Sequence, residues 1–175
     1  MKTLLTIALF AALVACQEKT VDENYSASAN EISESEIKTA NLNTEVSNQI
    51  ITGYLTIKDA LVKTDAAAAS FAAEGLLFDF KENEDELMEK LFLDVRLIAV
   101  SKGVEQQRIY FEGLSHNIYT LVKNTDHEGM TIYQQYCPMA FQNKGAYWIS
   151  DEEKVYNPYF GDKMLRCGKV KEVMQ

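Results

Sequence analysis

No proline interrupts the first 137 residues of this chain, and that absence constrains its fold more than any single motif. Both prolines, Pro138 and Pro158, fall in the last forty residues. A proline inside a helix removes a backbone hydrogen bond and clashes with the preceding turn, so long unbroken helices belong before Pro138. The apolar spacing there agrees. Thr44 can cap a helix in which Val46, Ile50, Ile51, Tyr54, Ile57, Leu61 and Val62 recur about every 3.6 residues. Thr64 or Asp65 then caps an alanine-rich helix carrying Phe71, Ala72, Leu76 and Leu77. Its run Ala66 to Ala69 is good helix-forming sequence and small enough for close approach to a neighbour. Asn83 with Glu86 makes a capping-box pattern ahead of Leu87, Met88, Leu91, Phe92, Val95, Ile98 and Ala99, and Gly103 is placed to end that helix. A fourth helix is expected from about Val104 to Asn124, with Phe111, Leu114, Ile118, Leu121 and Val122 on one stripe. Short connections favour an antiparallel up-and-down arrangement.

The character changes after residue 124. Thr131 to Tyr136 and Ala146 to Ile149 are β-prone, and Gln142-Asn143-Lys144-Gly145 between them is turn chemistry, so a hairpin is expected. Asn157 to Asp162 reads as a second turn. Strands this few and short need something to pack on. The expected fold is α+β, mostly α. An antiparallel four-helix bundle (44–124) is followed by a small C-terminal lobe with a β-hairpin and turns (125–175), together one folded domain, 44–175.

The N-terminus bears on location. Lys2 precedes an apolar stretch, Leu4 to Val14, too short to span a bilayer. Leu13-Val14-Ala15-Cys16 then resembles the lipobox of a bacterial lipoprotein signal peptide, which implies cleavage after residue 15 and acylation of Cys16. Several acyl chains anchor a protein to a lipid bilayer stably. Residues 16–43 are rich in Glu, Ser, Asn and Thr and read as a disordered tether. The expected location is the cell envelope, lipid-anchored and periplasm-facing, with the outer membrane favoured over the inner. The formal charge of −9 carries no Lys/Arg stripe, so nucleic acid is not an expected partner.

With Cys16 assigned to lipid, two cysteines remain. Cys137-Pro138-Met139 and Met164-Leu165-Arg166-Cys167 each hold one thiol and one thioether in an aromatic, turn-rich setting. Cu(I) and Ag(I) prefer such polarisable ligands, which makes Cys137, Met139, Met164 and Cys167 candidate metal ligands. On a strand, Cys137 and Met139 would share a face; on a helical turn, Met164 and Cys167 would. Outside the cytoplasm, two cysteines are equally the arithmetic of one disulfide, Cys137–Cys167, beside two packed methionines. His116 lies off the apolar stripe of the fourth helix and is a candidate further ligand or nearby base, against the plainer reading of a surface histidine. His127, in Asp126-His127-Glu128-Gly129, reads as solvated. There is no His-x-x-x-His pair, phosphate-binding glycine loop, nucleophile elbow or dinucleotide fingerprint, so a non-enzymatic role is expected.

Longer stretches sharpen this. Tyr133 to Phe141, Asn143 to Ser150 and Asn157 to Gly168, with Tyr54-Leu55-x-Ile57-Lys58-x-Ala60-Leu61 and Gln107-Arg108-x-x-Phe111-x-x-Leu114-Ser115 upstream, resemble a bacterial domain-of-unknown-function family. That family is found as small lipoproteins and at the C-termini of membrane-fusion subunits of heavy-metal efflux pumps. The resemblance implies periplasmic handling of copper or silver through Cys137, Met139, Met164 and Cys167, with efflux-pump components as partners. Cys-Pro-Met is also similar to the Cys-Pro-Met-His box of efflux-linked metal-binding segments, but Ala140 stands where that box has histidine.

Overall fold

Helices form where the sequence spaces its apolar residues for them. The computed structural model describes residues 44–80, 85–127 and 129–175. In these, four long helices precede a three-stranded antiparallel sheet, a one-turn helix and a 3-10 turn. The protein is α+β and mostly helical, as expected. The signal peptide, Cys16, the tether and Asn83 lie outside the described residues.

Helix α1 (Thr44–Val62) buries Ile50, Ile51, Tyr54, Ile57 and Leu61 on one face. Helix α2 (Ala66–Leu77) starts at Asp65, whose carboxylate accepts from the Ala68 N–H. Helix α3 (Glu86–Val100) is capped by Asp85, which accepts from the N–H groups of Leu87 and Met88. Gly103 does not end α3. The Ser101 hydroxyl donates to Leu97 and its backbone turns extended, so α3 stops at Val100. Gly103 instead holds the N-cap position of α4 (Val104–Asn124). Each helix packs on the next, and α1 also meets α4.

The α1–α2 corner is a strained joint. The Asp65 N–H reaches Ala60 O and the Thr64 N–H reaches Leu61 O, the bond pattern of a helix end with a left-handed residue, usually glycine. Here it is Thr64, at φ 58°. Buried Arg108 of α4 holds it there: its guanidinium donates to Thr64 Oγ1, Leu61 O and Pro158 O. Gly161 seats the tail against the same corner at φ 53°, where a Cβ would come within 2.2 Å of Thr64 Oγ1.

Strand β1 (Ile132–Cys137) pairs antiparallel with β2 (Ala146–Ser150), the expected hairpin. An unanticipated strand, β3 (Lys169–Met174), lines the other side of β1, giving the order β2-β1-β3. The hairpin link is also not a tight turn. The chain leaves β1 at Pro138 and forms α5 (Ala140–Asn143), in which Phe141, Gln142 and Asn143 take φ of 48°, 59° and 69°.

The sheet packs on α4 through β2. Tyr54 stacks on Phe111 at 5.0 Å, and Tyr159 meets Phe111, Phe141 and Trp148 edge-on or tilted. The buried Tyr54 hydroxyl accepts from the Ile149 N–H and lies 2.8 Å from Ser115 Oγ, tying α1, α4 and β2 together. Burial pushes the Tyr54 phenol well above its ordinary pKa. Among the described residues, no helix is long and apolar enough to cross a membrane.

Candidate functional site

Antiparallel pairing of β1 with β3 brings the two cysteines to one end of the sheet. Cys137 is the last residue of β1, Cys167 stands just before β3, and Tyr136 pairs with Lys169. The two sulfurs lie 3.0 Å apart, and both are free thiols. That exceeds the S–S bond length of about 2.05 Å, so the contact is a hydrogen bond between thiols. Cys137 is fully buried, whereas Cys167 is half-buried. The hydrogen bond with Cys137, with burial adding to it, pushes the Cys167 pKa up to about 11. At neutral pH Cys167 therefore keeps its proton.

Several local devices hold this pair. Fully buried Asn157 donates from Nδ2 to Cys167 O at 2.7 Å, while its Oδ1 accepts from the N–H groups of Tyr159 and Phe160. Its own N–H donates to Leu165 O. One side chain thus shapes the loop that delivers Cys167. Gly168 follows at φ 146°, where a Cβ would come within 2.9 Å of the Trp148 ring and 3.0 Å of Tyr136 O.

On the other side, the left-handed run Phe141–Asn143 follows directly after Cys137-Pro138-Met139. Left-handed backbone costs about 1–2 kcal/mol per residue, and such strain gathers at functional sites. Phe141 offsets part of it by packing its ring 5.3 Å from Tyr159. Gly145 closes the link beneath Tyr136, where a Cβ would overlap the phenol.

The methionines are placed differently from the sequence reading. Met139 does not share a strand face with Cys137, because Pro138 turns the chain and leaves Met139 in an αR conformation, 45% exposed. Met164 and Cys167 share no helical turn. A β-turn joins them, closed by the Cys167 N–H to Met164 O at 3.0 Å, with Met164 half-buried. Each thioether occupies a turn next to one thiol.

His116 is exposed on α4 and lines a cleft of about 190 Å³ with Glu112, Tyr119, Gln134 and Tyr147. Burial raises the Glu112 carboxyl pKa, and the neighbouring His116 and Lys144 partly offset this. Among the described residues no three His, Cys, Asp or Glu side chains gather as a cation-binding group, so His116 does not join the two thiols in one. His127 departs from its solvated reading. It is half-buried, and its Nε2 is buried with no hydrogen-bond partner among the described residues. Asn157 is expected in a turn and Gly168 only within the family-like stretch, and the part each plays in holding Cys167 is not expected from either. The dipeptides Asn-Pro and Cys-Gly were the available signal.

Two free thiols in contact, one facing the core and one reachable from outside, support two chemistries. After losing protons they can chelate a soft cation, or by losing two electrons they can close into a disulfide.

Residues 50–129 match the model of a family described as a protein of unknown function (DUF3347). The match runs from Ile50 in α1 through the end of α4, so the cysteine-bearing segments lie outside it. No curated protein and no solved structure matches the chain.

Proposed function

We propose that this chain is a lipid-anchored envelope lipoprotein whose Cys137–Cys167 pair takes up Cu(I) or Ag(I), to buffer the ion or pass it to a heavy-metal efflux system. The observation that carries this reading is the 3.0 Å approach of two free thiols from segments 30 residues apart. Soft d10 ions gain more from thiolate and thioether than from oxygen. Metal–thiolate bonds are about 2.3 Å long, so two sulfurs on one ion can stand up to ~4.6 Å apart, and the pair would have to part by as much as ~1.6 Å. Cys167 is the sulfur placed to move, since Cys137 is fixed within β1. Met139 and Met164 supply thioethers from the adjoining turns. The four helices, read as an antiparallel bundle, form the support on which the thiol-bearing lobe is mounted. Acylated Cys16 provides the membrane attachment, and the role is non-enzymatic.

The test is a titration of the reduced protein with Cu(I) against a chromogenic chelator. One tightly held equivalent is expected, and a stoichiometry unchanged in the double variant Cys137→Ser, Cys167→Ser would falsify the assignment. Because the Cys167 proton must leave, apparent affinity should rise with pH, up to about tenfold per unit below about 11 for that proton.

The same close approach favours a second reading, a structural or interaction module stapled by a Cys137–Cys167 disulfide. Closing that loop would stabilise the fold by roughly 3–4 kcal/mol. Under this reading Ag(I) leaves the melting temperature unchanged, whereas under the first it raises it by mass action. Finding both thiols free in denatured protein recovered from its native compartment removes the staple.

A further inference from the structure

Away from the thiols, α2 is an unusual surface helix. In its twelve residues only Ser70 and Glu74 are polar, so it lacks the polar half that normally faces water. Ala69, Ala73 and Leu76 face the core, but Phe71 on the outer side remains 79% exposed. Between α2 and α1 runs an open groove of about 1220 Å³. Gly53, Ala68, Ala72 and Gly75 keep its floor free of bulky side chains. Gly53 also lets the Leu76 side chain of α2 pack closely on α1, since a Cβ there would come within 2.6 Å of it.

The lining residues run along α1 from Thr44 to its C-terminal end, so the groove follows a helix of 19 residues, ~28 Å long. Its volume exceeds the roughly 300–1,000 Å³ of small-molecule sites and suits the apolar face of a docked helix. The rim is acidic. Glu45, Asp65 and Asp79 line it together with Asp59, which pairs with buried Lys58 at 3.0 Å, and among its described lining residues Lys63 is the one cation.

We infer that this groove docks a cationic amphipathic helix of a partner protein. An apolar floor between carboxylates is complementary to a helix with leucine-like residues on one face and lysine or arginine flanking it. The same charge disfavours the other candidates. Residues 17–43 of this chain carry Glu18, Asp22, Glu23, Glu31, Glu34 and Glu36 against Lys19 and Lys38, so the N-terminal stretch is repelled. A second copy brings another −9, and an anionic lipid surface is repelled as well.

The experiment uses the full chain with Cys16→Ser and a fluorescein-labelled Leu/Lys amphipathic helix about five turns long (~18 residues), followed by anisotropy. Saturable one-to-one binding is expected, weakening as salt rises. A control peptide with glutamate in place of lysine should bind at least about tenfold more weakly. Ala68→Lys with Phe71→Ala, both at exposed positions, should cost at least about tenfold while leaving the helical circular dichroism unchanged. Equal binding by the glutamate peptide, or by the double variant, overturns the inference. It is also overturned if the groove proves to be covered by a second copy, seen as a dimer that the variant abolishes. Binding to phosphatidylglycerol vesicles that the same variant removes would overturn it too.

Discussion

Cys167 and Arg108 show how single side chains set the chemistry and the fold. The Cys167 pKa is raised first by its hydrogen bond to Cys137, so its thiolate is scarce at neutral pH. Its alkylation by iodoacetamide should keep accelerating, about tenfold per pH unit, up to about pH 11, where an ordinary thiol levels off near 8.5. In Cys137→Ser the levelling point should fall; an unchanged profile shows that the contact with Cys137 is not the cause. The linkage has a definite sign. A folded-state pKa above the unfolded value gives stability that is present below about pH 8.5 and lost as pH rises toward about 11, which urea midpoints across that window would record. Arg108 matters through geometry. Arg108→Met keeps volume but leaves buried Pro158 O without its donor, while Leu61 O keeps only the Thr64 N–H, and should lower stability by about 2 kcal/mol in urea denaturation.

At the level of elements, the helices were legible and the hairpin link was not. The stripes of α1 and α4 and the Asp65 cap can be seen in the sequence because helix periodicity and capping are local. The left-handed run Phe141–Asn143 is not local. It is held by Phe141 on Tyr159 and by Tyr136 over Gly145, contacts that no neighbouring residue announces. Exposed Gln142, at φ 59°, tests this. Gln142→Gly should raise stability by up to about 1 kcal/mol, because relief of left-handed strain exceeds glycine's added chain entropy; a loss in thermal denaturation would show the strain is absent. Strand β3 escaped notice for another reason. In Lys169–Met174 exposure alternates, with Lys169, Lys171 and Val173 outward, but apolar Val173 faces out and acidic Glu172 faces in, so no apolar alternation in the sequence marks it.

For the whole molecule, the issue is whether helices and sheet unfold together. The Tyr54 hydroxyl, accepting from Ile149 N–H beside Ser115, crosses between them, and the Arg108 clamp ties the helices to the Pro158 loop that follows β2. Trp148, the single tryptophan, reports on the sheet, while far-ultraviolet circular dichroism reports on the helices. Tyr54→Phe should lower stability by about 2 kcal/mol, the cost of a buried N–H left without its acceptor. Both probes should still follow one transition. Separate transitions would show that the lobe stands alone.

The amino-acid order determined which segments coil, where α2 begins, and that two sulfur-bearing stretches lie near the C-terminus, because spacing, capping and turn chemistry act over a few residues. Only the tertiary structure decided that Cys137 and Cys167 touch while His116 stands on an open helix face. Strand pairing across 30 residues sets the first, and the packing of β2 on α4 sets the second. Contacts between distant residues depend on how whole elements stack, and that is not written in local spacing.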